Sequence, residues 1–96
     1  MLSIWFQRRW VEPILAGEKR DTIRAKRGHY QPGEIIQAQV GPKPPFCLLR
    51  IEAIERVSAH DLSPDRASRL ASLYDAGIEW YWRLVFQVVP RLAPAE

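Results

Sequence analysis

The chain is poor in cysteine. Cys47 stands alone among 96 residues, so no disulfide framework can be drawn, and a cytoplasmic setting is expected. Histidine is nearly as scarce. His29 and His60 lie far from each other and from Cys47, with no spacing that resembles a zinc site, so no metal is expected. Cys47, at the start of a strand, reads as a small buried hydrophobe. No apolar run approaches the length of a membrane span, and no membrane partner is expected. The opening Met1-Leu2-Ser3-Ile4-Trp5-Phe6 is too short and too aromatic for a signal peptide, and it has no small-residue cleavage site. Internal repeats and low-complexity segments are also lacking. A chain of this length has room for one modest core, hence one domain over 1–96, with 90–96 expected as a flexible tail.

Charge is present but unevenly placed. Residues 1–27 hold seven Lys/Arg against three acids, or +4, whereas residues 28–96 hold seven against eight, or −1. A basic first third suits a phosphate-bearing or nucleic-acid ligand. A solvated basic surface with no partner would have the same composition.

The pattern of apolar residues predicts five strands and two helices. Residues 2–7 read as a first strand, rich in Ile, Trp and Phe. Trp10 to Ala16 reads as a short helix, with Pro13 tolerable only in its first turn and Gly17 as its stop. Asp21 to Ala25 and Glu34 to Val40 are the next strands, separated by the turn-rich Gly28 to Gly33. Phe46 to Val57 alternates as a long strand until the pattern slips at Ile54, which marks an expected bulge. Ser63-Pro64 is a helix start, with Ser63 as cap, followed by an apolar face of Ala67, Leu70, Ala71 and Tyr74 and an end at Gly77. Trp80 to Val89 is the last strand, with Trp82, Leu84, Phe86 and Val88 on one side. The fold class is therefore α+β, mostly β. Closing five strands into a small barrel flanked by the helices would remove exposed edges.

The chemistry-bearing stretch is Gly17-Glu18-Lys19-Arg20-Asp21-Thr22-Ile23-Arg24. Period two puts Thr22 and Arg24 on one face of the strand and Ile23 on the other. Lys19 lies in the turn just before. A cation, a hydroxyl and a guanidinium converge on one region, which suits gripping a polar ligand or activating a hydroxyl nucleophile. Taken alone, such a short string recurs by chance.

Ile14-Leu15-Ala16-Gly17-Glu18-Lys19 followed by Thr22-Ile23-Arg24 resembles the signature of the ASCH domain, in the PUA-like barrel superfamily. It is most similar to that of the small bacterial N4-acetylcytidine amidohydrolases. Phe6-Gln7-Arg8 before the helix, His29-Tyr30 with Pro32-Gly33-Glu34, and Phe46-Cys47 support the resemblance. It runs from residue 4 to about 57 and resumes at the last strand. The region around the second helix is shorter here. The resemblance implies a PUA-like β-barrel with a cleft for a nucleobase or nucleoside, no cofactor, and a catalytic threonine, lysine and carboxylate. The first two fall on Thr22 and Lys19. The third follows the second helix, where Asp75 is the first candidate and Glu79 the second.

Amide hydrolysis needs a nucleophile, a proton shuttle and a stabiliser of the oxyanion. Lys19 can take the Thr22 proton only while it is neutral, and crowding by Arg24 and partial burial would each favour that. Charged Lys19 acting as oxyanion donor is the alternative. Arg24 supports the ligand, Phe6 and Tyr30 are candidates for stacking on a pyrimidine, and Arg8 is a second cation for the cleft. The expected protein is thus a monomeric amidohydrolase acting on N4-acylcytidine nucleosides. A non-catalytic RNA-binding module and an ASCH-type ribonuclease are the rivals.

Overall fold

The computed structural model describes residues 1–73 and 78–90. Strand β1 (Ser3–Trp5) leads through a 3-10 turn at Arg8–Trp10 into helix α1 (Val11–Leu15). Strands β2 (Asp21–Arg24), β3 (Ile35–Gln39) and β4 (Cys47–Ser58) follow. A second 3-10 turn at Ala59–Asp61 precedes helix α2 (Pro64–Leu73), and β5 (Trp80–Val88) is the last strand. The expected elements are all present, with ends shifted by a few residues. The end anticipated at Gly77, Tyr74 of the apolar face and the tail beyond Pro90 lie outside the described residues.

The strands form one mixed sheet in the order β1-β3-β4-β5-β2. Only β1 and β3 run parallel. Directly opposed residues share a sheet face. Thr22 lies opposite Leu84 and Arg24 opposite Trp82, so both look onto the side that holds the main core. That core is built on Ile4, Phe6, Ile14, Ile36, Ala38, Leu49, Ile51, Leu84 and Phe86, with Trp82 and Val88 packed against it. This is the side expected for the alternating residues of β5. Ile23 points the other way, into a smaller cluster with Leu70 of α2 and Tyr81. The edge strand β2 is therefore covered on both faces, with Thr22 and Ile23 both buried.

Three expectations are corrected. The sheet is not a closed barrel: among the described residues no backbone ladder joins β1 to β2. Strands of three and four residues are too short to zip that seam along their length. The irregularity in β4 falls between Ile51 and Ala53, not at Ile54, because the extra residue against β5 is Glu52. On α2, Ala71 is exposed, and the inward face is formed by Arg66, Ala67, Arg69 and Leu70. The helix start is as expected: the Ser63 hydroxyl accepts from the Arg66 amide at 3.3 Å.

Helix α1 ends in a way that places the next turn. Gly17, at φ 77°, occupies the left-handed position after the helix. The Gly17 amide donates to the Ile14 carbonyl at 3.0 Å, and the Glu18 amide donates to Pro13 at 2.9 Å. This pair is the Schellman arrangement. The Lys19 amide also donates to the Pro13 carbonyl, at 3.0 Å. Pro13 lacks an amide hydrogen to spend but has a carbonyl that holds two.

Candidate functional site

The seam between β1 and β2 opens into a cleft of about 530 Å³. Trp5, Phe6 and Gln7 contribute from the end of β1, and Arg9 and Trp10 from the 3-10 turn. Glu18 and Lys19 come from the turn after α1, Asp21 to Arg24 from β2, and Arg66, Arg69 and Leu70 from α2. The strand pair that fails to close is thus where charged and aromatic side chains collect.

Arg24 spans the seam by side chain. Its Nη2 donates to the Trp5 carbonyl at 2.7 Å, and its Nε donates to Thr22 Oγ1 at 3.2 Å. Its guanidinium lies 5.3 Å from the Phe6 ring centre. The Thr22 hydroxyl oxygen therefore sits beside a fixed positive charge, which favours its alkoxide form, while its own hydrogen stays available to donate. Thr22 is only 7% exposed, so its hydroxyl is largely screened from bulk water.

Lys19 Nζ rests 4.4 Å from the Trp10 ring centre. Burial pushes its pKa down to about 8, Asp21 opposes the shift, and Arg66, Arg69 and Arg24 reinforce it. At pH 7 about a tenth of the molecules would carry a neutral Lys19, able to accept a proton.

Asp21 is tied down. Arg66 donates to both its oxygens, at 3.0 and 2.5 Å, and Arg83 Nε donates to Oδ2 at 2.8 Å. Burial raises its pKa, but the hydrogen bonds from Arg66 and Arg83 outweigh that and hold it at about 2. A carboxylate so fixed orients its neighbours and does not shuttle protons at neutral pH.

Lys19, Thr22, Arg24 and Phe6 of the sequence-expected set come together in the cleft. Phe6 is a wall and not an open platform: it is buried, its ring meets Phe46 and Phe86 edge-on, and Arg24 covers it. Arg8 and Tyr30 do not line the cleft. Tyr30 donates its hydroxyl to the Ser3 carbonyl at 2.9 Å and packs against the core. Its ring leaves no room for a Cβ on Gly28, which would lie 2.8 Å from Cε2 at a φ of 73°. Glu79 is exposed just before β5 and lies outside the cleft lining. Asp75 falls outside the described residues.

Sequence reasoning missed Trp5, Trp10, Arg9, Asp21, Arg66 and Arg69. Trp5, 54% exposed, is the open aromatic of the cleft. Asp21 stands inside the chemistry-bearing octet, but its partners are 45 and 62 residues away, and no local pattern announces them. Cys47 packs against the core, and burial pushes its thiol up to about 11, as suits an inert cysteine. Among the described residues no group of three His, Cys, Asp or Glu is placed to hold a metal ion.

No protein-family model and no curated protein matches the sequence. Solved structures do match the fold. An ASCH domain from Lactobacillus crispatus aligns with a TM-score of 0.66 at 18% identity, over 90% of this chain and 77% of that one. A protein from Enterococcus faecalis aligns at 0.69 and 14% identity, over 93% and 76%. A Tyr-to-Phe variant of an ASCH protein from Zymomonas mobilis aligns at 0.65 and 17%, over 97% and 73%. Identities this low carry the fold and not the chemistry: the chain has the small α+β fold of ASCH-domain structures.

Proposed function

We propose that the cleft hydrolyses the amide of N4-acetylcytidine-type nucleosides without a cofactor, giving cytidine and the free carboxylate. The observation that carries this reading is the pairing of a guanidinium-held Thr22 hydroxyl with a Lys19 of lowered basicity in one cleft. Neutral Lys19 takes the Thr22 proton as the oxygen attacks the acyl carbonyl. The resulting ammonium returns that proton to the departing N4 amine, leaving an ester on Thr22. Water then cleaves the ester, with Lys19 again accepting and returning the proton. Arg24 stabilises the negative charge that develops on the threonine oxygen as it attacks and again as it leaves the ester. The exposed Trp5 ring offers a stacking surface for the pyrimidine.

Purified protein should convert N4-acetylcytidine to cytidine, followed by chromatography. Thr22→Ala should lower kcat/KM by a factor on the order of a thousand or more while leaving the unfolding transition in place. Failure to turn over any acylated cytosine nucleoside would sink the proposal. A non-catalytic RNA-binding module is the second reading. It draws support from the five cations around the cleft and from the clamped state of Asp21. That reading expects tight, salt-sensitive RNA binding with no product formed.

A further inference from the structure

Three cations share one indole. Arg9, Lys19 and Arg69 lie 4.8, 4.4 and 5.3 Å from the Trp10 ring centre. That geometry puts them within roughly 10 Å of one another, about one Debye length at 0.1 M salt. Attraction to the ring offsets part of their mutual repulsion. Among the described residues, the ion pairs are Asp21 with Arg66 and Arg83, and Glu55 with Arg83. None of the three cations on Trp10 takes part. Arg69 donates its Nε to the Asp65 carbonyl, at 3.4 Å, and its terminal amino groups form no hydrogen bond or ion pair among the described residues. The other two arginines of the cleft are engaged: Arg24 with Thr22 and Trp5, Arg66 with Asp21. Crowded cations that form no ion pair among the described residues, in a cleft that admits a ligand, describe an anion site.

We propose that Arg9 and Arg69, held on Trp10, form a phosphate subsite of the cleft, and that the substrate is a cytosine nucleoside carrying a phosphate on its ribose. The identity of the base rests on the amidohydrolase reading; the anion site does not. Two guanidiniums match a phosphate group, which offers several acceptor oxygens to forked donors. Glu18 and Asp21 are the only carboxylates lining the cleft among the described residues, against five cations, and Asp21 is neutralised by its own arginines. A cleft of about 530 Å³ is in the range that accepts small-molecule ligands. A neutral nucleoside would desolvate Arg9 and Arg69 without compensating them. A phosphate compensates both, and it also draws Lys19 toward its charged form. The pH profile for a phosphorylated substrate should therefore lie to the alkaline side of that for the nucleoside.

The test compares N4-acetylcytidine, its 5′-monophosphate, and a short RNA with one internal N4-acetylcytidine. The phosphorylated substrates should have kcat/KM values about tenfold or more above the nucleoside. Arg9→Gln and Arg69→Gln should each shrink that ratio severalfold, and together they should erase it. Gain with the monophosphate assigns the subsite to free nucleotides. Gain confined to the RNA assigns it to a backbone diester, and either outcome supports the subsite. A ratio near one, or one that ignores both substitutions, overturns it. If no substrate is hydrolysed, calorimetry with cytidine 5′-monophosphate and cytidine decides. Tighter, Arg9- and Arg69-dependent binding of the monophosphate upholds the anion site while the hydrolase reading falls. Equal binding of the two removes the subsite as well.

Discussion

Lys19 carries a cost in stability that its lowered basicity makes measurable. Its pKa is about 8 in the fold against 10.5 for the free side chain. Between those values the folded state binds fewer protons than the unfolded state, so its contribution to stability rises with pH through that window. At pH 7 the buried ammonium is a liability. Lys19→Met should therefore raise the unfolding free energy at pH 7 by on the order of 1 kcal/mol after allowance for solvent screening. The gain should be seen in urea titration and should fade above pH 10. The same substitution should abolish hydrolysis, and in the unsubstituted protein kcat/KM should climb with pH around an apparent pKa of about 8. A profile that falls through that range would mean that Lys19 works as the ammonium, not as the base. Lys19, Thr22 and Arg24 were legible in the sequence because the turn and the strand face that present them are set locally. A glycine stop sets the turn, and period two sets the strand face. Trp10 and Arg9 were not, because their value comes from Arg69, which is 59 positions beyond Trp10 in the chain.

At the scale of elements, the Asp21 clamp ties α2 to the edge strand β2 and reaches Glu55 on β4 through Arg83. Its carboxyl is held at about 2 in the fold, against 3.8 unperturbed. A depressed carboxylate gives stability that is complete above the unfolded pKa and disappears as the pH falls through the folded one. Asp21→Asn should cost about 2 kcal/mol at pH 7, and the difference from the unsubstituted protein should close between pH 4 and pH 2 in denaturant titrations. A constant difference down to pH 2 would mean that packing, not charge, accounts for the loss. Because α2 also carries Arg69, the substitution should weaken the cleft along with the fold. Element identity was readable from periodicity and from Gly and Pro punctuation, as at Gly17 and Ser63-Pro64. Closure was not. Whether β1 meets β2 depends on how far each strand runs before its neighbours bend away, and that is decided by Arg24 reaching Trp5 and by α2 packing on Ile23. The inward face of α2 was misjudged for a related reason. An arginine facing a carboxylate on another element looks, in sequence, like an arginine facing water.

At the scale of the whole molecule, the formal charge is +3, yet composition alone misplaces it. The first 27 residues hold the excess, but Arg66 and Arg69 join the cleft from a stretch that is net acidic. Folding thus concentrates five cations around one opening, and the resulting field should steer anions toward it. The consequence separates a neutral substrate from a charged one by ionic strength. Going from 0.01 to 0.15 M salt shortens the Debye length from about 30 to about 8 Å. Over that range kcat/KM for N4-acetylcytidine 5′-monophosphate should fall severalfold, whereas that for the uncharged nucleoside should stay within about a factor of two. Arg9→Gln combined with Arg69→Gln should flatten the first curve toward the second, since it removes two of the charges that shape the field. If the steep salt dependence survives the double substitution, the steering field comes from the rest of the basic surface, and the cleft's own cations act only at contact range.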